Sequence, residues 1–258
     1  MLLRYPGGKS RGALTTHLLD TIERCYSGGV FGELFFGGGG ITFHLLKRRA
    51  VRSLVINDLD PSVAKFWGRV IQRPSDMKRS IQRVRPGVGC FVAAKKRVLA
   101  GTSSAVDTII VNRMSHGGRG VMAGPQGGYD QKGQYKIDCR WNPERLCKEV
   151  QEAHDLLTSV PVRCLHKSYD RVTADFLYLD PPYYEVGNGL YHCAFSNLDH
   201  IMLAGFLYRR KDWVLSYNNH AFIRHLYRQF KQVPYSTAGN GGAKPNSELI
   251  ITSETLAC

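Results

Sequence analysis

The sequence predicts an α/β fold, a mostly parallel sheet with helices on both faces that carries a mainly helical insertion. Three observations lead there. Residues 30–58 alternate apolar runs with a glycine turn and a helical stretch, and residues 162–253 hold four more short runs rich in β-branched and aromatic side chains. The stretch between them lacks that pattern and is more basic. Sheets buried on both faces read as continuous apolar runs, as these do.

VFGELFF (30–36) is a strand that stops on Gly37, Gly38, Gly39 and Gly40. ITFHLLKRR (41–49) then reads as a helix, and SLVIND (53–58) as a second strand ending in acid, which completes a β-α-β unit. From 62 to 160 the chain is helical and basic, with KRSIQRVR (78–85) and KKR (95–97) ahead of the apolar DTIIVNR (107–113). SHGGRGVMAGPQGGYDQKGQ (115–134) is too poor in apolar residues for an element and reads as a long loop or ribbon. VRCLHKS (162–168), DFLYLD (175–180), DWVLSYNN (212–219) and ELIITS (248–253) are the later strands, with helices near 199–210 and 220–230 between some of them.

Thirty-five Lys and Arg against 21 Asp and Glu leave a net charge of +14, a field that attracts polyanions and favours a nucleic-acid partner. The seven cysteines contain no C-x-x-C pair and are odd in number, which speaks against a zinc finger or a disulfide framework and for reduced thiols. No run of 18 apolar residues spans a membrane and no signal-peptide core opens the chain, so a cytoplasmic protein is expected. H-E-x-x-H is absent, and no metal site is expected.

YPGGKS (5–10) ends like a P-loop, but Leu3 stands where that motif has its opening glycine. Lys9 therefore needs another ligand than a phosphate. In FGELFFGGGG (31–40) the glycines permit a tight turn and close approach to a helix N-terminus, as in nucleotide-like cofactor sites, yet the spacing is not G-x-G-x-x-G. Asp58, about twenty residues beyond the glycines, suits both hydroxyls of a ribose; it equally suits the N-cap of a helix opening at Pro61. LYLDPPYY (177–184) runs a strand into Asp180, after which Pro181 and Pro182 remove two N–H donors and leave carbonyls free to accept. With the flat face of Tyr183 beside them, these acceptors suit a planar substrate bearing an NH₂ group.

PGGK, ELFFGGGG, NDLD and DPPY, in that order and with a basic insertion before DPPY, resemble the Dam-type (alpha-group) DNA adenine N6-methyltransferases. SYNN (216–219) and NSELIIT (246–252) fall where that family has its later motifs. The resemblance implies a Rossmann-like methyltransferase fold, with residues 1–61 and 161–258 binding S-adenosylmethionine and 62–160 reading the DNA target. It implies methyl transfer to N6 of a flipped-out adenine, with Asp180, Pro181, Pro182 and Tyr183 catalytic. It places Tyr5, Pro6, Gly7, Gly8, Lys9, Glu33, Phe35, Phe36, Gly37, Gly39, Asp58, Ser168, Tyr169 and Asp180 around the cofactor, Lys9 on its carboxylate and Asp58 on its ribose. Arg113, His116 and Arg119 become the candidate contacts to DNA, with duplex DNA as the expected partner. A monomer or weak dimer of bacterial or phage origin is expected. The motif chemistry by itself leaves cytosine N4, an RNA adenine or a small amine open as acceptors, and a non-catalytic basic DNA-binding protein as a remote alternative. Leu34 and Gly40 depart from the family pattern, as do Met114, Ser115 and His116 after the Asn112-Arg113 pair.

Overall fold

A computed structural model describes residues 2–5, 7–9, 12–185, 193–237 and 246–253. Seven strands form one sheet: β1 (Phe31–Glu33), β2 (Leu54–Asn57), β3 (Val162–Leu165), β4 (Phe176–Leu179), β5 (Trp213–Asn218), β6 (Lys231–Thr237) and β7 (Asn246–Thr252). Their order is β3-β2-β1-β4-β5-β7-β6. The first five are parallel, while β7 runs antiparallel to both β5 and β6. The mostly parallel α/β sheet expected from the sequence is therefore present.

Alternation along the strands explains why both faces are buried. Leu54, Ile56, Phe176, Tyr178, Val214 and Ile250 join one apolar cluster, while Val55, Leu177, Leu179, Leu215, Leu249 and Ile251 join a second. With period 2, each strand contributes to both layers, so its sequence reads apolar throughout. The second cluster is covered by α8 (Asn197–Tyr208) and α9 (Ala221–Leu226).

The first cluster is larger. It lies under α1 (Ala13–Cys25) and α2 (Gly40–Lys47), then continues into α3 (Pro61–Gln72), α4 (Pro74–Arg83), α5 (Val88–Leu99), α6 (Ala105–Met114) and α7 (Pro143–Leu157). Trp67, Phe91, Ile109 and Leu146 thus share one core with Phe31 and Ile56 of the sheet. Helix α3 opens on Asp60, whose carboxylate accepts from Ser62 N at 2.8 Å, with Pro61 at the first turn. Asp60, not Asp58, is the cap, which leaves Asp58 for other work.

Two elements go beyond the sequence expectations. Helix α1 buries Leu14, Leu18, Leu19 and Ile22 at helical spacing, but glycine and a side-chain-free cap begin it. Strand β6 contains Pro234 and lies at the sheet edge, where a missing N–H is tolerated. The glycine-rich stretch is a loop, as expected, containing short 3₁₀ turns at His116–Gly118 and Gly120–Met122 and one bridge between Ser115 and Pro125.

Candidate active site

Strand order reverses at β1, which has β2 on one side and β4 on the other. Ligands in open α/β sheets bind at the carboxyl ends beside such a switch point. A cavity of about 410 Å³ lies there. Glu33 ends β1, Asp58 follows β2, Asp180 follows β4, and Asn218 ends β5 opposite Glu248 of β7. All five line the cavity, together with Tyr5, Gly7, Gly8, Lys9, Phe35, Phe36, Gly37, Gly39, Pro182 and Tyr183.

The glycine turn is shaped by sterics. Gly37 and Gly39 have φ of 45° and 68°, and a Cβ on Gly39 would strike the Phe36 ring. Trp67 holds the turn from below, its indole N–H donating to Gly37 O at 2.8 Å. Asp58 accepts from Gly37 N at 2.7 Å and from Asp60 N at 2.9 Å. Burial still pushes its carboxyl up to about 7 against those hydrogen bonds. Glu33 is deeper, accepts from both the amide and the hydroxyl of Thr42, and is pushed by burial up to about 8. Asn57 staples the strand ends, donating to Leu34 O and Lys167 O and accepting from Lys167 N.

Around Asp180 the contacts are dense. Its Oδ1 accepts from Ser216 Oγ at 2.7 Å, and both oxygens accept from Lys9 Nζ, at 3.2 and 3.3 Å. Lys9 is buried, and it also donates to Tyr183 Oη at 2.6 Å and pairs with Glu248 at 3.3 Å. Tyr183 in turn donates to Glu248. Burial opposes charge on Lys9, but the Asp180 and Glu248 carboxylates outweigh it and raise its pKa. The loop after Tyr183 is clamped by Asn218, which accepts from Tyr184 N and donates to Tyr184 O.

The N-terminal segment reaches this site because α6 anchors it. Asn112 accepts from Arg4 N and donates to Arg4 O, both at 2.8 Å, and Arg113 Nε donates to Leu2 O at 2.9 Å. Arg113 also pairs with Glu149 at 2.9 Å and is only 8% exposed. The expectation that Arg113 contacts DNA is thus corrected: its charge is spent inside the protein. His116 and Arg119 are exposed, and Arg119 stands at the cavity with Gly118, Gly120 and Met122.

Other expected residues are placed as follows. Pro181 is buried and does not line the cavity. Ser168 borders a separate shallow depression with Leu59 and His166, and Tyr169 packs against Phe35, Phe195 and Phe206, so neither faces the main cavity. Pro6 lies outside the described residues. Lys9 lines the cavity and is directed to Asp180 and Glu248. Ser216, Asn218, Glu248 and Asn112 had no assigned role in the sequence reading. A lone acid opening the apolar run ELIITS was the available signal for Glu248.

The family model described as D12 class N6 adenine-specific DNA methyltransferase matches residues 5–86 and 115–237. The chain belongs to this family. It is accordingly an S-adenosylmethionine-dependent, adenine-specific DNA methyltransferase, with DNA as substrate. No curated protein sequence matches it. Among solved structures, an rRNA methyltransferase, aviRa, from Streptomyces viridochromogenes aligns over 99% of this chain and 90% of its own, at 10% identity and a TM-score of 0.41. That likeness is too distant to bear on the chemistry. Among the described residues, no helix is long and apolar enough to cross a membrane.

The methyltransferase's cavity fits S-adenosylmethionine by its donor set. Among the described residues, Asp58, Asp60 and Asp180 line it as acids and Lys9 and Arg119 as cations, while burial pushes the lining Glu33 up to about 8. A ligand carrying a sulfonium, an ammonium and a carboxylate suits such a mixed set of charges.

Proposed function

We propose that the cavity binds S-adenosylmethionine beside the glycine turn and Tyr5, and that Asp180 receives an adenine turned out of duplex DNA. The observation that carries this reading is the convergence of Asp58, the Gly37–Gly39 turn and Asp180 on one cavity at the switch point. Asp58 would take the ribose hydroxyls, and Glu33, Phe35, Phe36, Gly7 and Gly8 would wall the pocket. The cofactor supplies an electrophilic methyl group.

The chain's own task is to prepare the amine. An adenine N6 lone pair is delocalised into the ring and is a poor nucleophile. Asp180 accepts one N–H and the Pro182 carbonyl the other, which favours a pyramidal nitrogen with its lone pair localised. Tyr183 stacks on the base. Catalysis of this kind rests on orientation and preorganised dipoles. Since N6 is inaccessible inside the duplex, the base must leave the stack, at about a few kcal/mol. Residues 62–160, with His116 and Arg119 as contacts, would offset that cost.

Methyl transfer from labelled S-adenosylmethionine to unmethylated plasmid DNA, followed by sequencing for N6-methyladenine, tests the reading. Label confined to adenine N6 and lost in Asp180→Ala, with the fold retained, is the expected result. Label on cytosine or only on RNA, or full activity in Asp180→Ala, overturns it.

A further inference from the structure

Lys9 has three N–H hydrogens and four acceptors: Asp180, Glu248, Tyr183 Oη and Gly7 O, the last at 3.0 Å. Its ammonium is therefore oversubscribed. If it leaves Asp180, three acceptors remain for three donors, and no buried N–H is left unpaired. Asp180 is divided in the complementary way. Oδ1 keeps the Ser216 hydroxyl, whereas the partner of Oδ2 among the described residues is Lys9. The oxygen that Lys9 would free is thus one that could accept a substrate amine.

Resting on the methyl-transfer reading above, we propose that Lys9 occupies the amine position on Asp180 and gives it up to the target base, and that Glu248 is the positioning residue for this exchange. Glu248 holds the displaced ammonium and, through the Tyr183 hydroxyl, fixes the ring beside which the base lies. Its place opposite Asn218 on the antiparallel strand β7 sets it within reach of both. Without its charge, Lys9 stays on Asp180 and competes with the amine.

Glu248→Gln tests this, because the amide oxygen still accepts from Tyr183 while the charge is gone. At saturating cofactor and DNA, kcat should fall by about tenfold or more. The Kd for S-adenosylmethionine, measured by calorimetry, should stay within about threefold of the parent. The discriminating readout is Lys9→Gln added to Glu248→Gln. With no ammonium left to block Asp180, the double variant should be about threefold or more faster than Glu248→Gln alone, a rescue that a merely structural role does not produce. A Glu248→Gln enzyme within about twofold of the parent refutes the exchange, and so does a double variant as slow as the single one. Those outcomes leave DNA methylation by the parent intact. A parent protein that methylates no DNA refutes the underlying reading and the exchange with it.

Discussion

Gly39→Ala tests whether the glycine turn is dictated by sterics. Gly39 caps α2 at φ 68°. Placing a Cβ at a left-handed residue costs about 1–2 kcal/mol. That Cβ would also meet the Phe36 ring, 2.8 and 3.0 Å from its two Cε atoms. Phe36 is buried and packs edge-on to Trp67 at 5.2 Å, and Trp67 is tied to Gly37 O, so the ring cannot retreat without disturbing the turn. Overpacking of this kind costs about 1–3 kcal/mol. The sum is about 2–5 kcal/mol, and at 2–4 °C per kcal/mol for a chain of this size Tm falls by about 4–20 °C. Gly101→Ala is the control. Gly101 has φ 71° but nothing within 4 Å of its added Cβ, so only the backbone cost of about 1–2 kcal/mol applies. Circular-dichroism melting of both variants, with calorimetric titration of S-adenosylmethionine, separates the two costs. Equal Tm values for Gly39→Ala and Gly101→Ala, with parental cofactor affinity, would refute the steric argument.

Burial raises the Glu33 carboxyl from its ordinary 4.5 to about 8. The folded protein then keeps a proton that the unfolded chain has lost, so this stability is full below about pH 4.5 and declines as pH rises toward 8. Glu33→Gln should flatten the Tm-against-pH profile across that window, and an unchanged slope would count against a buried, protonated Glu33. Arg113→Ala removes one of the two arginines paired with Glu149 and the side-chain donor to Leu2 O, and should cost about 1–3 kcal/mol of stability in denaturant melts. Arg119→Ala should leave stability alone and reduce the salt slope of DNA binding by about one; if Arg113→Ala lowers the slope instead, the assignments are reversed. Asp58→Ala should weaken S-adenosylmethionine binding by about 10–100-fold while kcat at saturation changes less, as one charged acceptor is removed from the ground state.

The parallel sheet was legible because both faces are buried: runs such as LVI (54–56) and FLYL (176–179) are apolar without interruption, and an acid follows each near the site. Helix α1 and strand β6 were less legible, since α1 lacks a capping side chain and β6 carries a proline with polar neighbours.

By itself the sequence determined the residue types of the site and their order. Short motifs such as DPPY and the glycine run keep their local backbone demands wherever the chain places them. Pairing across long separations was decided only by the tertiary structure. Lys9 meets Asp180 across 171 positions, and Arg113 meets Leu2 across 111. The charge of Lys9 permits a cofactor carboxylate as well as Asp180, and that of Arg113 a DNA phosphate as well as Glu149. The fold buries each cation beside a particular acid, where leaving it unpaired would be costly.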